Sequence, residues 1–129
     1  MSDDQSSETS EAHIDDAVLE RTADRSGVDP ETISDALVVL HAALIGRHST
    51  LEREYEYATV DGTRAYRVPE TVWDDLADEF GFEDEVAAAV EFAHSEQAQL
   101  VFADAVGVDD RFGDGDRGVV VGIDTAEEF

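Results

Sequence analysis

Four histidines and eight arginines are the side chains of this chain best equipped for metal, proton or phosphate chemistry. His41 and His48 are seven residues apart and share a helix face if one helix runs through Gly46; His94 and Glu96 belong to a later helix. Zinc demands three or four ligands in a definite geometry, and no HEXXH-like spacing is present. His41 lies in an otherwise apolar run and is expected to be a core histidine bonded to a backbone carbonyl. The loop Asp109 to Asp116 gathers carboxylates and glycines but lacks the D-x-D-x-D-G order of an EF-hand calcium loop. No phosphate-binding glycine loop, nucleophile elbow or dinucleotide fingerprint occurs. No catalytic, cofactor-binding or metal-binding residue is therefore assigned, and no cofactor is expected. Arg47, Arg64 and Arg67 are the candidate contacts to phosphate.

Charge dominates the composition. Thirty-three acidic residues against eight basic ones give a net charge of −25, and every basic residue is arginine. In molar salt the Debye length falls to about 3 Å, so neighbouring carboxylates cease to repel strongly. Their hydration then keeps the chain soluble, whereas long lysine stems would add exposed apolar surface. This composition points to the cytoplasm of a salt-accumulating halophile, and the complete lack of lysine leads us to expect one of the haloarchaea. With 42% hydrophobic residues spread along the sequence, global disorder is not expected. The absence of cysteine excludes disulfides and thiolate metal sites. No apolar run reaches the roughly 20 residues that a membrane helix needs.

The elements that would position these side chains follow from hydrophobic spacing. Residues 1–12 form an acidic, disordered tail, residues 13–124 one globular domain, and residues 125–129 a frayed end. A short helix is expected over Ile14 to Arg25 with Gly27 as its stop. Asp29-Pro30 caps a central buried helix carrying Ile33, Leu37, Leu40 and Leu44, which either ends at Gly46 or continues to about Glu54. Asp61-Gly62 is a type I′ pair, so a hairpin over residues 54–68 sets Val60 opposite Thr63, Tyr57 opposite Tyr66 and Glu56 opposite Arg67. Its face of Tyr55, Tyr57, Tyr66 and Val68 is expected to pack on the central helix. A helix follows from Pro69 to Phe80, then a long one from about Asp84 to Val106, ended by Gly107, with Val86, Ala89, Val90, Ala93, Leu100 and Val101 inward. Val119 to Asp124 completes the set as a buried strand, extending the hairpin to three strands. The fold class is α+β, with about four helices and a small antiparallel sheet.

Two resemblances follow from these residues. Ala23, Gly27, Val28 and Ile33 fall at helix-turn-helix spacings, and with the hairpin, residues 14–68 resemble a winged-helix domain. That resemblance implies a DNA-binding regulator whose recognition helix starts at Asp29, Glu31, Thr32, Ser34 and Asp35, with Arg47, Arg64 and Arg67 on phosphates. The helix start offers none of the Arg, Lys, Asn or Gln that read bases. Residues 66–97, with Glu70 and Trp73 and the stretch Ala93-His94-x-Glu96-Gln97, resemble small uncharacterised haloarchaeal proteins. The leading reading is a non-enzymatic cytoplasmic regulatory or adaptor module acting through a protein partner or as a homodimer. The alternative is a winged-helix DNA-binding regulator.

Overall fold

A computed structural model describes residues 13–105 and 112–122. Expectations for the tail, Val106 and Gly107, Asp109 to Arg111 and the C-terminal end lie outside these residues. Five helices and three strands follow one another: α1 (Asp16–Ser26), α2 (Pro30–Ile45), α3 (His48–Glu54), β1 (Glu56–Val60), β2 (Thr63–Pro69), α4 (Glu70–Phe80), α5 (Asp84–Asp104) and β3 (Asp116–Gly122). The class is α+β.

Local chemistry explains the boundaries. Gly27 ends α1 in the left-handed conformation at φ 74° and returns its N–H to Ala23. The Asp29 carboxylate accepts the N–H of Glu31 and Pro30 opens α2. A turn at Gly46 and Arg47 separates α2 from α3, so the heptad Leu37, Leu44, Leu51 spans two helices and not one. Ile33, Leu37, Leu40 and Leu44 are all buried, as their spacing predicts.

The hairpin has the expected register, with Val60 opposite Thr63, Tyr57 opposite Tyr66 and Glu56 opposite Arg67. Asp61 and Gly62 both take positive φ, the condition a type I′ turn imposes. Strand order is β1-β2-β3, all antiparallel, with Val119 opposite Tyr66 and Val120 opposite Ala65.

Packing of the sheet differs from expectation. The face of Tyr55, Tyr57, Tyr66 and Val68 is only partly inside, with Tyr66 and Val68 buried and Tyr57 exposed, while Ala58 and Ala65 of the other face are buried as well. Helix α5 lies across all three strands on the alanine side. The small residues permit its close approach: a Cβ on Gly118 would fall 2.3 Å from the Cβ of Ala98. Tyr66, fully buried on the opposite side, donates its hydroxyl to the His48 carbonyl at 3.1 Å. Helix α4 also packs against β2 and β3. Val119, Val120 and Val121 are all inaccessible, so β3 is covered on both faces. Leu100, expected inward, is 42% exposed, and His94, Gln97 and Ala98 are buried instead.

Candidate functional site

Strand β3 is an edge strand, and an edge inside a fold needs partners for its outward backbone groups. Side chains supply them. The N–H of Gly118 donates to the Ser95 hydroxyl at 3.0 Å, that of Val120 to His94 Nδ1 at 3.0 Å, and that of Gly122 to His41 Nε2 at 3.0 Å. The Gly118 carbonyl accepts the indole N–H of Trp73 at 3.0 Å. His41 was expected to meet a backbone carbonyl; it accepts a backbone N–H, because the groups that β3 presents outward at Val120 and Gly122 are donors.

These bonds fix the protonation of both rings. A nitrogen that accepts an N–H carries no proton, so His94 is protonated on Nε2 and His41 on Nδ1, and both are neutral. Burial holds the His94 pKa down to about 3, with repulsion from His41 adding to it. Burial likewise lowers His41 to about 4, aided by His13, whose ring stacks on it at 5.5 Å. His94 Nε2 has no hydrogen-bond partner among the described residues and lies beside the Trp73 ring, 5.2 Å between centroids. His41 and His94 thus form a structural seam along β3. Among the described residues, no group of three or more His, Asp or Glu is arranged to hold a metal ion.

A groove of about 610 Å³ lies elsewhere, between α1, α5 and the chain entering β3. Its walls include Arg25, Phe92, Gln99 and Phe112. The Arg25 guanidinium lies over the Phe92 ring, 4.5 Å from its centroid, and Phe112 stands edge-on to Phe102. The small polar groups lining it are spent on the backbone: Thr22 donates to the Val18 carbonyl, Ser26 accepts from Val28, and Ser95 accepts from Gly118. Arg117 is held by Glu91 at 2.5 Å. Arg25, by contrast, has no carboxylate partner among the described residues. The groove therefore offers aromatic surface and one cation outside any ion pair among the described residues, with Glu85 and Asp116 also on its walls.

The three arginines singled out as phosphate contacts are dispersed. Arg47 lies just beyond the C-terminal end of α2, a helix of 16 residues, and pairs with Glu79. Arg64 and Arg67 are three apart on β2 and so point to opposite faces of the sheet. Arg64 bonds Glu52 at 3.1 Å and Thr59 at 3.0 Å and covers the Tyr57 ring. Arg67 pairs with Glu56 and lies 4.8 Å from the Phe102 centroid and 4.9 Å from that of Phe112. At the start of α2, Asp29, Glu31, Thr32 and Asp35 are exposed while Ser34 is buried. Hydrophobic spacing places Phe92 on the inward surface of the long helix, but no motif marked it or Arg25 as part of a site. The available signal was their position: both sit at the margin of an apolar helix stripe, where a polar or aromatic side chain borders solvent.

The family described as domain of unknown function DUF8048 matches residues 12–123, and the chain belongs to it. No curated protein and no solved structure matches the chain. Residues that carried the haloarchaeal resemblance turn out to be fasteners. Trp73 and His94 hold β3, Glu70 lies 3.7 Å from Arg117, Glu96 pairs with Arg21 at 2.7 Å, and Gln97 accepts the N–H of Asp15 at 2.8 Å. They tie α4, α5, α1 and β3 together.

Proposed function

We propose that the protein is a non-enzymatic cytoplasmic adaptor or regulatory module of a halophile, and that its groove between α1 and α5 receives a protein partner. The observation that carries this reading is the Arg25 guanidinium, unpaired among the described residues and stacked on Phe92 inside the groove. Five of the other six described arginines meet carboxylates, Arg53 being the exception, in a chain where carboxylates are abundant. A cation left over in that setting suits a carboxylate brought by a partner, with Phe92 and Phe112 taking an adjoining apolar side chain. Support for a non-enzymatic role comes from the groove hydroxyls and the buried histidines, all committed to backbone bonds. No helix among the described residues is long and apolar enough to cross a membrane.

The groove reading is preferred to winged-helix DNA binding because Arg47, Arg64 and Arg67 each face a carboxylate, and Arg64 and Arg67 lie on opposite faces of the sheet. Co-purification from the native host at its own salt concentration separates the two. The adaptor reading expects a stoichiometric protein partner that is lost with Arg25→Ala. Enrichment of DNA at discrete loci, unaffected by that change, contradicts it.

A further inference from the structure

The two edges of the sheet are treated differently. Along β3, Ser95, His94 and His41 satisfy the outward N–H groups of Gly118, Val120 and Gly122, and Trp73 satisfies the Gly118 carbonyl. Along β1 nothing comparable exists among the described residues. The two-residue turn makes Val60 and Thr63 a hydrogen-bonded pair, so Ala58 and Glu56 also bond to β2, and the N–H and C=O groups of Tyr57 and Thr59 point outward. Both residues are exposed, and no backbone or side-chain partner covers those groups among the described residues. An uncovered edge is a template for another strand.

We propose that β1 is a self-association edge, pairing antiparallel with β1 of a second copy about a twofold axis at Ala58. In that register Tyr57 meets Thr59 of the other copy, and the reciprocal pair follows by symmetry. The outward groups of both residues are then satisfied in two equivalent sets, and the two three-stranded sheets become continuous. The strand's self-complementary charge pattern fits a second copy as the occupant. Two chains of net charge −25 meet with least repulsion where few carboxylates confront each other. Glu56 is the one charged residue of the strand, is already paired with Arg67, and faces Val60 of the other copy. At the margins Asp61 faces Tyr55 of the other copy, so no two acids stand opposite one another.

Light scattering across a concentration series in molar salt tests the proposal, with Thr59→Pro as the variant. Proline removes an outward N–H and is tolerated on an edge, so the variant keeps the wild-type circular dichroism. The wild type is expected to double in mass as concentration rises and the variant to remain monomeric. Hydrogen exchange gives a second readout: the Tyr57 and Thr59 amides should slow severalfold only under dimerising conditions. A wild type monomeric throughout, or a dimer that survives Thr59→Pro, overturns the proposal. So does protection of those amides that is independent of concentration, because the chain itself would then cover the edge.

Discussion

His94 accepts the backbone N–H of Val120 at 3.0 Å from a ring with no solvent exposure. The bond exists only while Nδ1 is unprotonated, and the same holds for His41 Nε2 toward Gly122. The closing of β3 against α2 and α5 is thereby tied to two neutral imidazoles.

Acid should loosen the fold before carboxylates titrate. Both folded-state pKa values, about 3 and about 4, lie below the ordinary 6.5 of an unfolded chain. The unfolded state therefore binds more protons as pH falls below 6.5, and stability present above that pH is lost toward 4 and 3. At pH 5 each histidine contributes a loss of about 2 kcal/mol relative to pH 7.5. Thermal melts in molar salt should show it, and His94→Gln should abolish roughly half of the change while lowering stability at pH 7.5.

Gly118 is required by the approach of α5. A Cβ there would fall 2.3 Å from the Ala98 Cβ and 3.1 Å from the Ser95 Cα. Gly118→Ala is expected to destabilise by about 3 kcal/mol, the upper end for overpacking. Adding Ala98→Gly removes the nearest clash, so the double variant should be more stable than Gly118→Ala in denaturant titrations. Strict additivity of the two changes would show that the contact between α5 and β3 is not the cause.

Low salt should act through the net charge of −25. Transfer from molar salt to about 0.1 M lengthens the Debye length from ~3 to ~10 Å and restores repulsion among surface carboxylates. The melting temperature should fall steeply with dilution. A cooperative transition unchanged in dilute buffer contradicts the halophilic reading.

Removing the groove cation should cost binding and little stability. Arg25 is exposed, and its contact with Phe92 contributes about 0.5–1 kcal/mol to folding. Arg25→Ala should leave the melting temperature within a few degrees of wild type while weakening partner capture about tenfold, equivalent to roughly 1.4 kcal/mol.

Local chemistry made much of the fold legible. Asp61-Gly62 fixed the hairpin register because a type I′ turn leaves one pairing. Gly27 and Gly81 marked helix ends through their positive φ. What was not legible depended on long-range packing. The burial of the alanine face follows from α5 approaching at Gly118, a contact between residues far apart in sequence. Leu100 was placed inward by hydrophobicity, yet His94 and Gln97 occupy the buried side. Polar residues at core spacing, as in Val90, His94, Gln97 and Val101, were the available sign of backbone groups needing partners. The groove had no motif to announce it, because Arg25 and Phe92 belong to different helices.

The most direct measurement is photo-crosslinking in the native host at native salt. A crosslinking side chain replaces Gln99, exposed on the groove wall, or Asp78, exposed on α4 outside it. The account predicts one protein adduct at position 99 and none at position 78. Equal adducts at both positions, or capture of DNA at 99, would contradict it.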